Sequence, residues 1–120
     1  MTPLRVLHVI ESMIQGGAET LILEHVRHAS AGTESTVCAL NRGGPALEQA
    51  RALGACTELL GKGARRLQGL SRVTALMRER RINVVNGHNP TGSLYGTLAA
   101  MRAGVPVVVR TEHSIHYPGR

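Results

Sequence analysis

Short apolar runs alternate along this chain with longer stretches of helical periodicity. The first run, Val6, Leu7, Val9 and Ile10, is too short for a buried helix and reads as a strand covered on both faces. Gly16-Gly17 then opens a helix whose apolar stripe is Ala18, Leu21, Ile22, Val26 and Ala29, at i, i+3, i+4 spacing. Ala31-Gly32 turns the chain into a second strand, Glu34–Leu40, and Asn41–Gly44 follows as a loop. Pro45 suits a first helical position and Gly54 a position just past the end, with Leu47, Ala50 and Leu53 on one face. Cys56–Leu60 is a short third strand. Leu70, Val73, Leu76 and Met77 predict a helix over 70–81, and Ile82–Gly87 a fourth strand. The last helix is predicted over Gly92–Ala103, with Leu94, Leu98 and Met101 inward, Gly96 allowing close packing and Gly104 as its cap. Val105–Thr111, rich in valine, is the fifth strand.

Strict alternation of strand and helix implies a parallel sheet with helices on both faces. Right-handed crossovers make the expected strand order 3-2-1-4-5, a Rossmann-like α/β fold. The 120 residues are one domain's worth of chain, with no internal repeat, low-complexity segment or interdomain linker. No apolar stretch approaches a membrane span, and Met1–Ile10 is too short for the apolar region of a signal peptide. A cytoplasmic location is the resulting expectation.

Charge changes the picture more than overall composition does. The chain carries 14 Lys+Arg against 8 Asp+Glu, all the bases except Lys62 are arginines, and there is no aspartate. A receiver-type phosphoacceptor, an Asp-x-Asp metal motif and a Ser-His-Asp triad are thereby excluded, unless a Glu replaces the Asp of the triad. Tyr95 and Tyr117 are the only large aromatic residues, so the stacking platform of a single-strand nucleic-acid binder is missing. The positive balance points to anionic ligands or membrane headgroups, not to sequence-specific nucleic-acid reading. Cys38 and Cys56 have neither metal-ligand spacing nor a redox motif, and are expected to be buried thiols.

In a sheet of this order, ligands bind beyond the carboxyl ends of the strands, near the switch between the first and fourth. The residues delivered there are Glu11 through Gly17, then Asn41 and Arg42, then Asn86, His88 and Asn89, and last Thr111, Glu112 and His113. A helix that starts at a glycine turn offers free backbone N–H groups and the positive end of its dipole, a ready anion site. The same Gly-Gly pair is also compatible with a plain tight turn. A dinucleotide fingerprint, a Walker motif and a Gly-x-Ser-x-Gly elbow are all absent. His113 and His116 have a spacing that, with His88, could in principle ligate a metal, but that is not the favoured reading. No cofactor or metal is expected.

Three segments, VLHVIESMIQGGAE, NVVNGHNPTGSLYG and AGVPVVVRTEHS, together resemble the N-terminal domain of GT-B retaining glycosyltransferases, most closely glycosyltransferase family 4. The resemblance covers nearly the whole chain. It implies an acceptor-side domain of an enzyme that moves a sugar from a nucleotide-sugar donor to an acceptor hydroxyl, lipid or glycan, without a metal. It places His113 at the reacting end, as the catalytic residue. Gly16 and Gly17 would bind the donor diphosphate through backbone N–H groups, and His88 would line the acceptor side; Glu11, Arg42, Asn89 and Thr111, delivered to the same edge by the strand ends, are expected to bind substrate or donor phosphate beside them. Asn86-Gly87-His88 departs from the family's usual His-x-His. The donor domain, with its Glu-x7-Glu motif, is not in this sequence, so residues 1–120 are expected to be a truncated or separately made half, inactive alone.

The alternative is a non-catalytic module that binds an anionic ligand or a partner chain. Arg65, Arg66, Arg72, Arg78, Arg80 and Arg81 form a basic cluster around the third helix. It reads either as a solvated face or as a contact to an acidic membrane surface. The fifth strand, with almost no polar alternation, is expected to make the chain self-associate.

Overall fold

The computed structural model describes residues 3–12, 17–61 and 66–111, and in them strand and helix alternate as the periodicity predicts. The elements are β1 (Leu4–Ser12), α1 (Gly17–Arg27), β2 (Thr33–Arg42), α2 (Pro45–Ala52), β3 (Cys56–Leu59), α3 (Arg66–Glu79), β4 (Val84–His88), α4 (Asn89–Ala103) and β5 (Val107–Thr111). The strands form one sheet in the order β3-β2-β1-β4-β5, every pair parallel. Pro45 occupies the start of α2, where its missing N–H costs nothing, and Gly104 ends α4 in the left-handed region at φ 77°.

Alternation along β1 sorts the core into two layers. Leu7 and Val9 join Cys38, Leu40 and Val85 beneath Val73, Leu76 and Met77 of α3 and Ala99 and Ala100 of α4. Ile10 joins Val37 and Ala39 on the opposite face, under Ile22 and Val26 of α1 and Ala46, Leu47 and Ala50 of α2. Each of the larger side chains, fully buried, contributes roughly 1.5–3 kcal/mol.

The orientation of α4 differs from the expectation. Leu94, Leu98 and Met101 are exposed, and the buried face is Gly92, Ser93, Gly96, Ala99 and Ala100. A Cβ on Gly92 would collide with the backbone of Val9 and Ile10, so the first turns of α4 lie almost in contact with β1. Ser93 Oγ donates to the Gly87 carbonyl at 3.1 Å and fixes that seat. Close approach wins over leucine burial because small residues let the whole helix backbone descend onto the sheet.

Smaller corrections follow the same logic. Asn41 and Arg42 extend β2 and do not belong to the loop, and α3 begins at Arg66, ahead of the periodic leucines. Leu53 caps α2 on the exposed side, and Cys56, at the start of the edge strand β3, is exposed where a buried thiol was expected.

Candidate functional site

The carboxyl ends of β1, β2 and β4 gather the polar residues. The register of β1 on β2 is regular from Leu4↔Thr33 to Ile10↔Ala39 and then shifts, so that Ser12 lies opposite Arg42. The extra residue on β2 is a bulge. Leu40 and Asn41, within this irregular stretch, both line one pocket. Glu11 and Arg42 are exposed at this edge. Helix α1 starts at Gly17, just beyond β1.

The step from β4 into α4 has no loop. His88 ends the strand and Asn89 starts the helix with φ 63°, a left-handed conformation that asparagine tolerates better than most residues. His88 is fully buried and does not cap α4 with its side chain. Its Nε2 lies 3.1 Å from Nδ1 of His8, in the middle of β1, so one ring nitrogen donates and the other accepts. The His25 ring, from α1, stands 5.8 Å from that of His8. Burial, reinforced by His25, pushes the His8 imidazole down to about 4, so the ring is neutral at pH 7. Beside this pair, Thr111 Oγ1 donates to Asn86 Oδ1 at 2.7 Å and ties the ends of β4 and β5 together.

Of the residues singled out from the sequence, Glu11, Gly17, Arg42, Asn89 and Thr111 thus share one edge of the sheet, and His88 lies buried beneath it. Gly16, Glu112, His113 and His116 lie outside the described residues. His8 was not singled out. The available signal was a histidine in an apolar strand run, two residues from Ile10 and on the same face.

A pocket of about 130 Å³ opens at this edge, lined by Glu11, Asn41, Gly61, Thr91 and Tyr95 among others. A wider concavity, about 580 Å³, lies at the opposite end of the sheet, between Arg5, Ser30, Gly54 and Arg80. The polar strand ends converge at the carboxyl edge and make it the candidate site; the wider hollow is a groove among the loops that lead into the strands.

The basic cluster is partly neutralised. Arg72 reaches Glu58 at 3.0 Å and Glu79 at 3.2 Å, and Arg78 donates to the Arg102 carbonyl at 2.9 Å. Arg80 and Arg81 remain exposed; Arg65 and the side chain of Arg66 lie outside the described residues. Among the described residues no group of His, Cys, Asp or Glu is arranged to hold a metal ion, and no helix is long and apolar enough to cross a membrane.

Comparison with known proteins agrees with this fold. Residues 15–120 match the family model described as Glycosyltransferase Family 4. No curated protein matches the sequence. Among solved structures, the UDP-GlcNAc 2-epimerase from Neisseria meningitidis, bound to UDP-GlcNAc, superposes with a TM-score of 0.56 at 18% identity. The match covers 87% of this chain and 31% of the epimerase, so the chain spans about a third of that protein's length. At this identity the likeness is one of fold, that of a GT-B-like domain.

Proposed function

The chain belongs to glycosyltransferase family 4, and from that premise we propose that it is the acceptor-side domain of a retaining GT-B enzyme. The enzyme moves a sugar from a nucleotide-sugar donor to an acceptor hydroxyl, and the donor domain is supplied by a further stretch of chain or by a partner. One observation carries the reading: α1 starts at Gly17, beyond the carboxyl end of β1. The backbone N–H groups at a helix start, and the positive end of its dipole, suit the diphosphate of a sugar nucleotide.

Retention requires the leaving diphosphate to be stabilised while the acceptor hydroxyl is held on the same face of the sugar. Gly16 and Gly17 take the first task through their backbone amides, with Arg42 as the exposed cation at the same edge. His113 takes the second, at the reacting end. Glu11, Asn89 and Thr111 line the acceptor side. His88, buried and bonded to His8, serves as a positioning residue that holds the junction at which Asn89 turns. Arg80 and Arg81 provide what contact there is with an acidic membrane surface.

The test is transfer from a labelled nucleotide sugar. Gly17→Val in the complete enzyme should weaken donor binding while leaving the fold intact, since the valine obstructs the approach to the backbone. His113→Ala should lower turnover more than donor affinity. Residues 1–120 alone should turn over no donor. Unchanged donor affinity in folded Gly17→Val, or turnover by the isolated domain, overturns this assignment.

A further inference from the structure

His8 commits only one of its ring nitrogens. Nδ1 meets His88, whereas Nε2 has no hydrogen-bond partner among the described residues. The ring lines a hollow of about 220 Å³ between α1 and the strands β1, β4 and β5. The register explains what else reaches it. Val6 lies opposite Ser35 and Val84, and His8 lies opposite Asn86, which in turn lies opposite Val109. Residues opposite one another in a parallel sheet leave it on the same face, so these two rows build one floor.

The polar part of that floor is buried: His8 is 3% and Asn86 8% exposed. Asn86 Oδ1 accepts from Thr111, which leaves its amide N–H groups for the hollow. Ser35 adds a hydroxyl, and His25 stands at the rim on the α1 side. The tautomer in which His8 Nδ1 accepts from His88 places the His8 proton on Nε2. The floor is then made of donors, and no Asp, Glu, Lys or Arg lines the hollow. Donors without a carboxylate call for an acceptor. The remaining walls, Val6, Val84, Val109 and Ala29, are apolar and unsuited to the fully hydrated oxygens of a phosphate.

We propose that this hollow is a second binding site, for a short aliphatic carboxylate. Its oxygens lie against His8, Asn86 and Ser35, and its chain lies between Val6, Val84 and Val109. The site sits on the α1 face of the sheet, away from the carboxyl edge, and does not depend on the transferase reading. The imidazoles distinguish an anion from a neutral acceptor. His8 and His25 face the ligand and His88 backs His8, while β2 contributes only Thr33 and Ser35 and β5 only Val109. Burial, and then His25, push the unliganded His8 ring down to about 4, and a carboxylate beside it acts in the opposite direction. Binding therefore takes up protons and tightens as pH falls from 7.5 to 5.5, by at most about tenfold per pH unit for each proton.

The experiment is titration of the chain with acetate, butyrate and butyramide at constant ionic strength, followed by amide and imidazole NMR. Butyrate should bind more tightly than acetate, by up to roughly fourfold for each fully buried methylene. Its affinity should rise between pH 7.5 and 5.5, with shifts at His8, Ser35, Asn86 and Val109. Butyramide, neutral and of nearly the same shape, should bind roughly tenfold more weakly at pH 5.5 and without pH dependence. Ser35→Ala removes one donor and should weaken butyrate by about tenfold. Ala29→Leu fills the hollow from its α1 side and should abolish the butyrate shifts, with the urea midpoint showing that the variant is folded. Absence of binding, equal affinity for butyrate and butyramide, indifference to pH, or shifts at the carboxyl edge overturns the proposal. Butyrate binding that survives in folded Ala29→Leu does so as well. A dimer that Ala29→Leu dissociates also overturns it, because the hollow would then hold a second copy.

Discussion

His8 and His88 meet across the β1–β4 pair, Nδ1 to Nε2 at 3.1 Å, both buried, with the ring of His25 from α1 standing 5.8 Å from that of His8. The bond needs one donor and one acceptor, so the pair holds only while at least one ring is neutral. His8 keeps its ring neutral far into acid because burial, and then His25, lowers its affinity for a proton to about pH 4.

This arrangement sets the sign of the pH dependence. An exposed histidine in the unfolded chain protonates near pH 6.5, while His8 in the folded chain waits until about 4. Between those values the unfolded state holds more protons, so stability falls as pH drops from about 6.5 to 4 and levels below. His8 alone accounts for roughly 3 kcal/mol at most. Urea midpoints at pH 7.5, 6, 5 and 4 should follow that slope, and His8→Leu should flatten it. An unchanged slope in His8→Leu would place the acid sensitivity elsewhere.

The seating of α4 gives a second expectation. Gly92→Val inserts methyl groups against the backbone of Val9 and Ile10, which no rotamer change relieves, and should cost roughly 1–3 kcal/mol or more. Leu94→Ala, on the exposed side, should stay within about 0.5 kcal/mol. Periodicity alone predicts the opposite ranking. Denaturant unfolding of the two variants decides between them.

That contrast shows what the sequence does and does not reveal. Strand order, element sequence and the two-sided core follow from periodicity because Val6–Ile10, Val73–Met77 and the cap at Gly104 carry strong local signals. Leucine periodicity points the wrong face of α4 inward because it cannot register how closely glycine, serine and alanine let two backbones approach. Glu11, Arg42, Asn89 and Thr111 stand at one edge because a parallel sheet delivers every strand end to the same side. The partnership of His8 with His88, 80 residues apart, depends on register, and a β1 slip of one residue would have sent His8 to the other face.

The cysteines provide a third check. Burial pushes the Cys38 thiol up to about 12, whereas Cys56 is exposed at the start of β3. Alkylation at pH 8 should therefore label Cys56 in the folded protein and Cys38 only after unfolding, as mass spectrometry of the labelled peptides would show. Labelling of both at equal rates would mean that the β2 core opens readily.

The last expectation concerns the sheet edge. β5 pairs with β4 alone, and its outer backbone groups have no strand partner among the described residues. Val107, Val108 and Val109 are 46%, 39% and 42% exposed, although such a run without polar alternation belongs under cover. Beside them, a hollow of about 220 Å³ lined by Val6, Val84, His25 and Val109 continues the uncovered surface. Free N–H and C=O groups next to half-buried valines template pairing with another chain. Full burial would contribute roughly 1.5–3 kcal/mol for each valine, and completing their partial burial a fraction of that. The chain of residues 1–120 should accordingly self-associate through β5, with light scattering across a dilution series showing a mass that rises with concentration. Val108→Lys places a charge on the pairing strand and should lower that mass towards the monomer. A monomer at every concentration, indifferent to the lysine, would show that this edge is already closed.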